Sequence, residues 1–411
     1  MTANTMTFKS WFVDRYPLFA YVLFDHRERG LVAVSIGAIA TYALTILYIL
    51  TQTTGGVTPN GVIFGGDFSV FWAAAQAFAQ GDAALIYDSI VFDAKLQEHF
   101  PQENPYLLSW QYPPTMFLAL APLSALPYLP ALFLWWAFSL AIFVYVLRTL
   151  WPRRSALIIA LGSAAIVQGL ITGQTGLFTA SLLAIAAFFP ARKPILAGVA
   201  AGILTIKPQF GILIPIAYLA AGCWRSFFTA GIVAISLAAV TTFIFDPSIW
   251  LAFRDAVTTH GGRLQSDLFP FYKVISPYGG LVKLGLPTSV AIAAQLTITV
   301  IIAGAIATIW RRSQSDELRT IALCSAAAIS VPYAFYYEFP IFVVPLYLIA
   351  KRAIESEWLP FEKIAIALLW GAPLIVTSGE TWPISFAAIT AASVFALCIR
   401  RVFHEIRPAP A

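Results

Sequence analysis

Charge is scarce in this chain. Only 11% of its 411 residues are Asp, Glu, Lys or Arg, against about a quarter in an ordinary soluble domain, so there is too little charge to coat a globular surface in water. Cysteine is scarcer still. Cys223, Cys324 and Cys398 each lie within or at the end of an apolar run, which excludes a disulfide framework and a metal-spaced cysteine cluster. HExxH, CxxC, P-loop and dinucleotide glycine patterns are missing, and the carboxylates are too scattered to argue for a metal, so no cofactor is expected. The first 30 residues carry Lys9, Arg15, Arg27 and Arg29 but no short apolar core followed by a small-residue cleavage site. Leu31 to Leu50 is therefore expected to be an uncleaved first span, with the mature chain starting near Met1. No internal repeat stands out, which argues against an inverted-repeat transporter.

What the chain has in abundance is hydrocarbon. Hydrophobic residues make up 59% and the mean hydropathy is +0.79. Apolar runs near 31–52, 128–150, 155–171, 177–190, 194–206, 209–223, 226–245, 287–310, 318–335, 338–350, 361–377 and 382–400 predict an all-α polytopic membrane protein, 1–411 forming one domain with about twelve transmembrane helices. The run 113–126 is too short to cross and holds Pro122, so it reads as re-entrant.

Charge parity sets an expected orientation. With the N-terminus inside, nineteen of the 25 Lys and Arg fall inside, leaving Lys95, Lys207, Arg254, Arg263, Lys273 and Lys283 outside among a majority of the acids. A pI near 9 thus reflects membrane topology, and nucleic-acid binding is disfavoured. Two outer segments, 53–127 and 246–286, are much longer than the other connections and are where function is expected. Phe68 to Ala79 and Ala84 to Phe100, in the first, read as helices lying at the membrane interface.

Several outer residues bear on chemistry. Asp67 follows Gly65-Gly66 and opens an apolar helix, so it is either an N-cap or a carboxylate brought close to a lipid-borne substrate as general base. Asp82 and Asp88 read as turn and cap residues. Gln111-Tyr112-Pro113-Pro114 is a stiff elbow that could wall a sugar pocket. Gln174, in Gly173-Gln174-Thr175-Gly176, and Lys207-Pro208-Gln209 fall on the same face. Lys207 either snorkels or meets an anion such as a ligand phosphate. The second loop gathers Arg254, His260, Arg263, Lys273 and Lys283, a cluster suited to a phosphate leaving group. His260 is a loop hydrogen-bonder or an acid/base. Glu338, after Tyr333, Tyr336 and Tyr337, is either a favourable helix-opening acid or a site residue.

Taken in order, Gly66-Asp67-Phe68 with Phe71-Trp72 and Ala77, Gly81 and Tyr87, Tyr112-Pro113-Pro114 with Pro122-Leu123, Gly173-Gln174-Thr175-Gly176 and Lys207-Pro208-Gln209 resemble glycosyltransferase family 87. Pro332-Tyr333 with Tyr337-Glu338 extends the likeness, with Glu338 where the family often has Asp. The resemblance implies the GT-C architecture and a polyprenyl-phosphate sugar donor, such as polyprenyl-phosphate mannose. It also implies an inverting displacement with Asp67 as base and Lys207, Arg254, Arg263 and Lys273 on the departing phosphate. The acceptor would be a lipid or glycan on the extracytoplasmic face of the inner (plasma) membrane, both termini being cytoplasmic. The residues alone leave three other readings open: an oligosaccharide ligase or polymerase using a pyrophosphate-linked donor, a secondary transporter, and a lipid-binding scaffold.

Overall fold

The computed structural model describes Arg15 and residues 27–100, 110–263, 269–376 and 379–406. Among the described residues no strand forms; extended pairing is limited to isolated bridges, of which Val274 with Phe335 is the one between distant segments. Among the described residues, five helices are long and apolar enough to cross a membrane: Glu28–Gln52, Tyr128–Leu150, Trp224–Phe245, Thr288–Arg312 and Phe386–Ile406. Arg154–Leu161 and Ala164–Ile171, bent by 55°, make a sixth if counted together. At that bend Ser163 accepts from the Ala165 N–H and donates to the Trp370 carbonyl, which satisfies groups the break would otherwise leave open.

These long helices are the shell. Phe243 is 92% and Val300 72% exposed, and Leu44 and Ile235 also point outward. A surface this apolar is at rest only in hydrocarbon, so the protein is membrane-embedded.

Twelve helices of crossing length are not what the described residues form. Gly176–Phe188, Pro194–Ile203, Ile214–Ala220, Asp316–Ile329, Pro340–Glu355 and Glu362–Gly371 occupy predicted spans but are shorter. For the most central of them the physical reason is position. Twelve of thirteen residues of Gly176–Phe188 and thirteen of fourteen of Asp316–Ile329 are buried. A helix wrapped by other helices does not have to match the bilayer thickness itself.

The first long loop also differs from expectation. Helix Phe68–Gln80 does not rest on a surface: eight of its residues are buried. Its aromatic side packs on the loop and on Tyr128–Leu150, Phe68 against Tyr128 and Phe71 against Trp110 and Trp135. Trp72 Nε1 donates to the Leu126 carbonyl and Gln76 to that of Ser124, both at 3.0 Å, clamping the short helical stretch Met116–Leu120 and Ala121–Ala125 where the sequence reads a re-entrant piece. Ser89–His99 buries only Phe92 and Leu96 and keeps its other residues more open.

Ion pairs gather where helix ends meet. Arg401 pairs with Glu362 and Glu405, Arg352 with Glu405 and Glu317, Lys351 with Glu317, and Arg192 with Asp316. All of these residues carry the same parity in the sequence, the one expected inside.

Candidate active site

Asp67 stands in a turn made by two glycines in left-handed backbone, Gly65 at φ 91° and Gly66 at φ 52°. It precedes Phe68–Gln80, yet its own backbone is already helical and its side chain makes no cap hydrogen bond. The capping reading of Asp67 is thereby corrected. Asp88 does cap, accepting from the Ile90 and Val91 N–H groups, and Asp82 pairs with Lys95. The Asp67 carboxylate instead accepts from Gln174 Nε2 at 2.8 Å through Oδ2, and Oδ1 has no hydrogen bond to the described residues.

Gln174 reaches Asp67 because Gly173 and Gly176, on either side of it in the turn, have no side chains. Gly173 lies at φ 60°, and a Cβ there would stand 2.4 Å from Phe68 Cβ and 2.6 Å from the Gly65 carbonyl oxygen. A Cβ on Gly176 would fall 2.2 Å from the Tyr337 carbonyl oxygen. The Gly-Gln-Thr-Gly turn is thus wedged between the Asp67 turn and the segment leading to Glu338. The Gln174 carbonyl oxygen accepts from Tyr112 Oη at 2.8 Å and Lys207 Nζ at 3.4 Å. Lysine only donates, which fixes the amide with its NH2 toward Asp67.

Lys207 does not snorkel. It is 4% exposed, pairs with the 1% exposed Glu338, and has the rings of Tyr112 and Tyr337 at 5.4 and 5.3 Å. Burial pulls the Lys207 pKa down, but Glu338 and Tyr112 more than offset this and hold it above the ordinary lysine value. Glu338 Oε2 is buried without a hydrogen-bond partner among the described residues. Burial raises the Asp67 carboxyl above the usual aspartate value, against the opposing pull of the Gln174 N–H, Lys207 and Lys273. A carboxylate held this way is a better base than a solvated one.

The second long loop is tied to the same place. Ile275 N–H donates to the Ala334 carbonyl at 2.8 Å and Ser276 Oγ to that of Pro332 at 2.6 Å, beside the Val274–Phe335 bridge. That pairing brings half-buried Lys273 near enough for its charge to act on Asp67. Phe269, Phe271, Tyr278, Tyr333 and Phe335 form a continuous aromatic wall, continued by Tyr337 stacked on Phe335 at 5.6 Å.

A model of glycosyltransferase family 87 matches residues 110–332, more than half of the chain. The chain belongs to that family. Neither the curated proteins nor the solved structures provide a match. As a family 87 glycosyltransferase the protein has a sugar donor and an acceptor, which decides against the transporter and scaffold readings. The matched stretch contains Gln111, Tyr112, Gln174, Lys207, Gln209, Arg254, His260, Arg263 and Lys273; Asp67, Tyr333 and Glu338 lie outside it and join it through the contacts above.

The family 87 chain does not bring all its expected residues together. Arg254 is exposed and pairs with its own neighbour Asp255 at 2.7 Å. His260 and Arg263 end the helix Ser248–Arg263, and their side chains lie outside the described residues. Gln209 is half-buried on the turn Pro208–Gly211, and Gln111 is exposed beside Tyr112. Sequence reasoning missed Tyr337 as a Lys207 neighbour and the aromatics Phe269, Phe271 and Phe335. Their signal was the density of Phe and Tyr at two distant points of the chain, which only a tertiary contact joins.

Proposed function

We propose that this family 87 glycosyltransferase moves a sugar from a polyprenyl-phosphate donor to an acceptor hydroxyl, with inversion, at the extracytoplasmic face of the plasma membrane and within a GT-C-type architecture. The observation that carries the reading is Asp67: freed from capping, gripped at Oδ2 by Gln174, without a hydrogen bond at Oδ1 among the described residues, with its pKa raised. In the reaction the acceptor oxygen forms a bond to the anomeric carbon while its proton passes to Asp67 Oδ1. The bond from that carbon to the phosphate oxygen breaks, and its electron pair leaves with the polyprenyl phosphate.

Lys273 is the first candidate to stabilise the leaving phosphate, being partly exposed and near Asp67. Lys207 is neutralised by Glu338, so its role is to hold Gln174 and bias the field at Asp67. The aromatic wall from Phe269 to Tyr337 offers apolar faces to a sugar ring.

The test is transfer of labelled sugar from polyprenyl-phosphate donors to a membrane lipid extract. Asp67→Asn is expected to lower the rate at least about 100-fold, within the usual range for a lost general base, with donor binding retained. Equal activity of mutant and wild type would remove Asp67 from the mechanism.

A further inference from the structure

A cleft of about 560 Å³ lies apart from Asp67, between the turn Leu85–Tyr87 with the start of Ser89–His99 and the helix Ser248–Arg263. Its size is within the range of about 300–1,000 Å³ usual for small-ligand sites. The ring of Tyr87 meets that of Phe253 edge-on at 5.9 Å, which fixes the two walls relative to each other. From the cleft a hydrogen-bonded path leads to the base. Tyr87 Oη donates to the Tyr112 carbonyl at 2.9 Å, Tyr112 Oη to Gln174 Oε1 at 2.8 Å, and Gln174 Nε2 to Asp67 at 2.8 Å. Gln111, next in sequence to Tyr112, lines the cleft.

The charge of the lining decides what it takes. Among the described residues Asp88 and Asp255 line it, and no Lys or Arg does; the adjacent Arg254 is held by Asp255. Such a lining repels a phosphate and presents acceptors to hydroxyl groups, with Thr259 adding a further polar group. Lys273, the cation proposed for the leaving phosphate, is on another element. We infer that this cleft binds the uncharged, hydroxyl-rich glycan part of the acceptor, so that donor and acceptor approach Asp67 from differently charged surfaces. The assignment rests on the glycosyl-transfer reading above.

The test uses the full chain in lipid nanodiscs, a labelled polyprenyl-phosphate sugar, and a membrane lipid extract as acceptor pool. Thr259→Trp and Ala84→Trp narrow the cleft from opposite walls at exposed positions, so neither disturbs the core. The extract concentration for half-maximal transfer is expected to rise about tenfold or more in both, while the donor KM and the slow hydrolysis of donor by water stay as in wild type. Unchanged acceptor dependence in both variants would overturn the proposal, and so would a shift in the donor KM. A wild type that neither transfers nor hydrolyses any such donor refutes the parent reading, and the cleft assignment with it; that failure is seen in the wild-type arm alone.

Discussion

Gln174 is the residue through which the site is organised. Its amide cannot turn over, because Tyr112 and Lys207 both donate to its oxygen, so its N–H is committed to Asp67. That N–H works to lower the Asp67 pKa while burial raises it. Asp67 must be ionised to take a proton, so activity falls as pH drops through its pKa. Gln174→Leu removes a lowering influence, and the acidic limb of the kcat/KM profile is expected to move to higher pH; an unmoved limb would separate Gln174 from the base. The Lys207–Glu338 pair behaves differently. Removing one partner of a buried pair strands a charge, and Lys207→Met is expected to lose about 3–5 kcal/mol in thermal unfolding followed by tryptophan fluorescence, with the double variant Lys207→Met, Glu338→Leu recovering much of it.

Three glycines act on the scale of elements, with different expected consequences. Gly198 and Gly202 let Pro194–Ile203 lie against Trp224–Phe245, where added Cβ atoms would meet Thr229 and Val233 at 2.5 Å. Gly202→Ala is expected to lower stability by about 1–3 kcal/mol through overpacking and to leave the kcat/KM of the folded fraction unchanged. Gly176→Ala also overpacks, but against the Tyr337 backbone, so it moves the wedge that carries Gln174. It is expected to reduce kcat about tenfold or more on top of a similar stability loss, since small misplacements of positioned groups are amplified in rate. Comparing the two by unfolding and by transfer assay separates packing from positioning. Neither contact was legible beforehand, because a glycine in an apolar run gives no sign of what approaches it.

Among the described residues two polar clusters stand out: the Asp67–Gln174–Lys207–Glu338 cluster, and the ion pairs around Arg352, Arg401 and Glu405. These two sets carry opposite parity in the sequence. On the proposed orientation, single cysteines at exposed Asn60 and Ser356, placed in a background lacking half-buried Cys223, are expected to react with impermeant maleimide from opposite sides of the membrane. Labelling of both from one side would overturn the topology. The sequence by itself determined that the chain is helical and membrane-embedded, because low charge and long apolar runs admit no other solvent. It also marked Asp67, Gln174, Lys207 and Glu338, since polar residues at breaks between apolar runs are conspicuous. Only the tertiary structure decided that long helices such as Trp224–Phe245 form the shell and short ones such as Gly176–Phe188 and Asp316–Ile329 the core. It alone showed that Asp67 does not cap and that the partner of Lys207 is Glu338, 131 residues away. Hydropathy and helical period are local properties, whereas a buried charge finds its partner through packing, which no local pattern encodes.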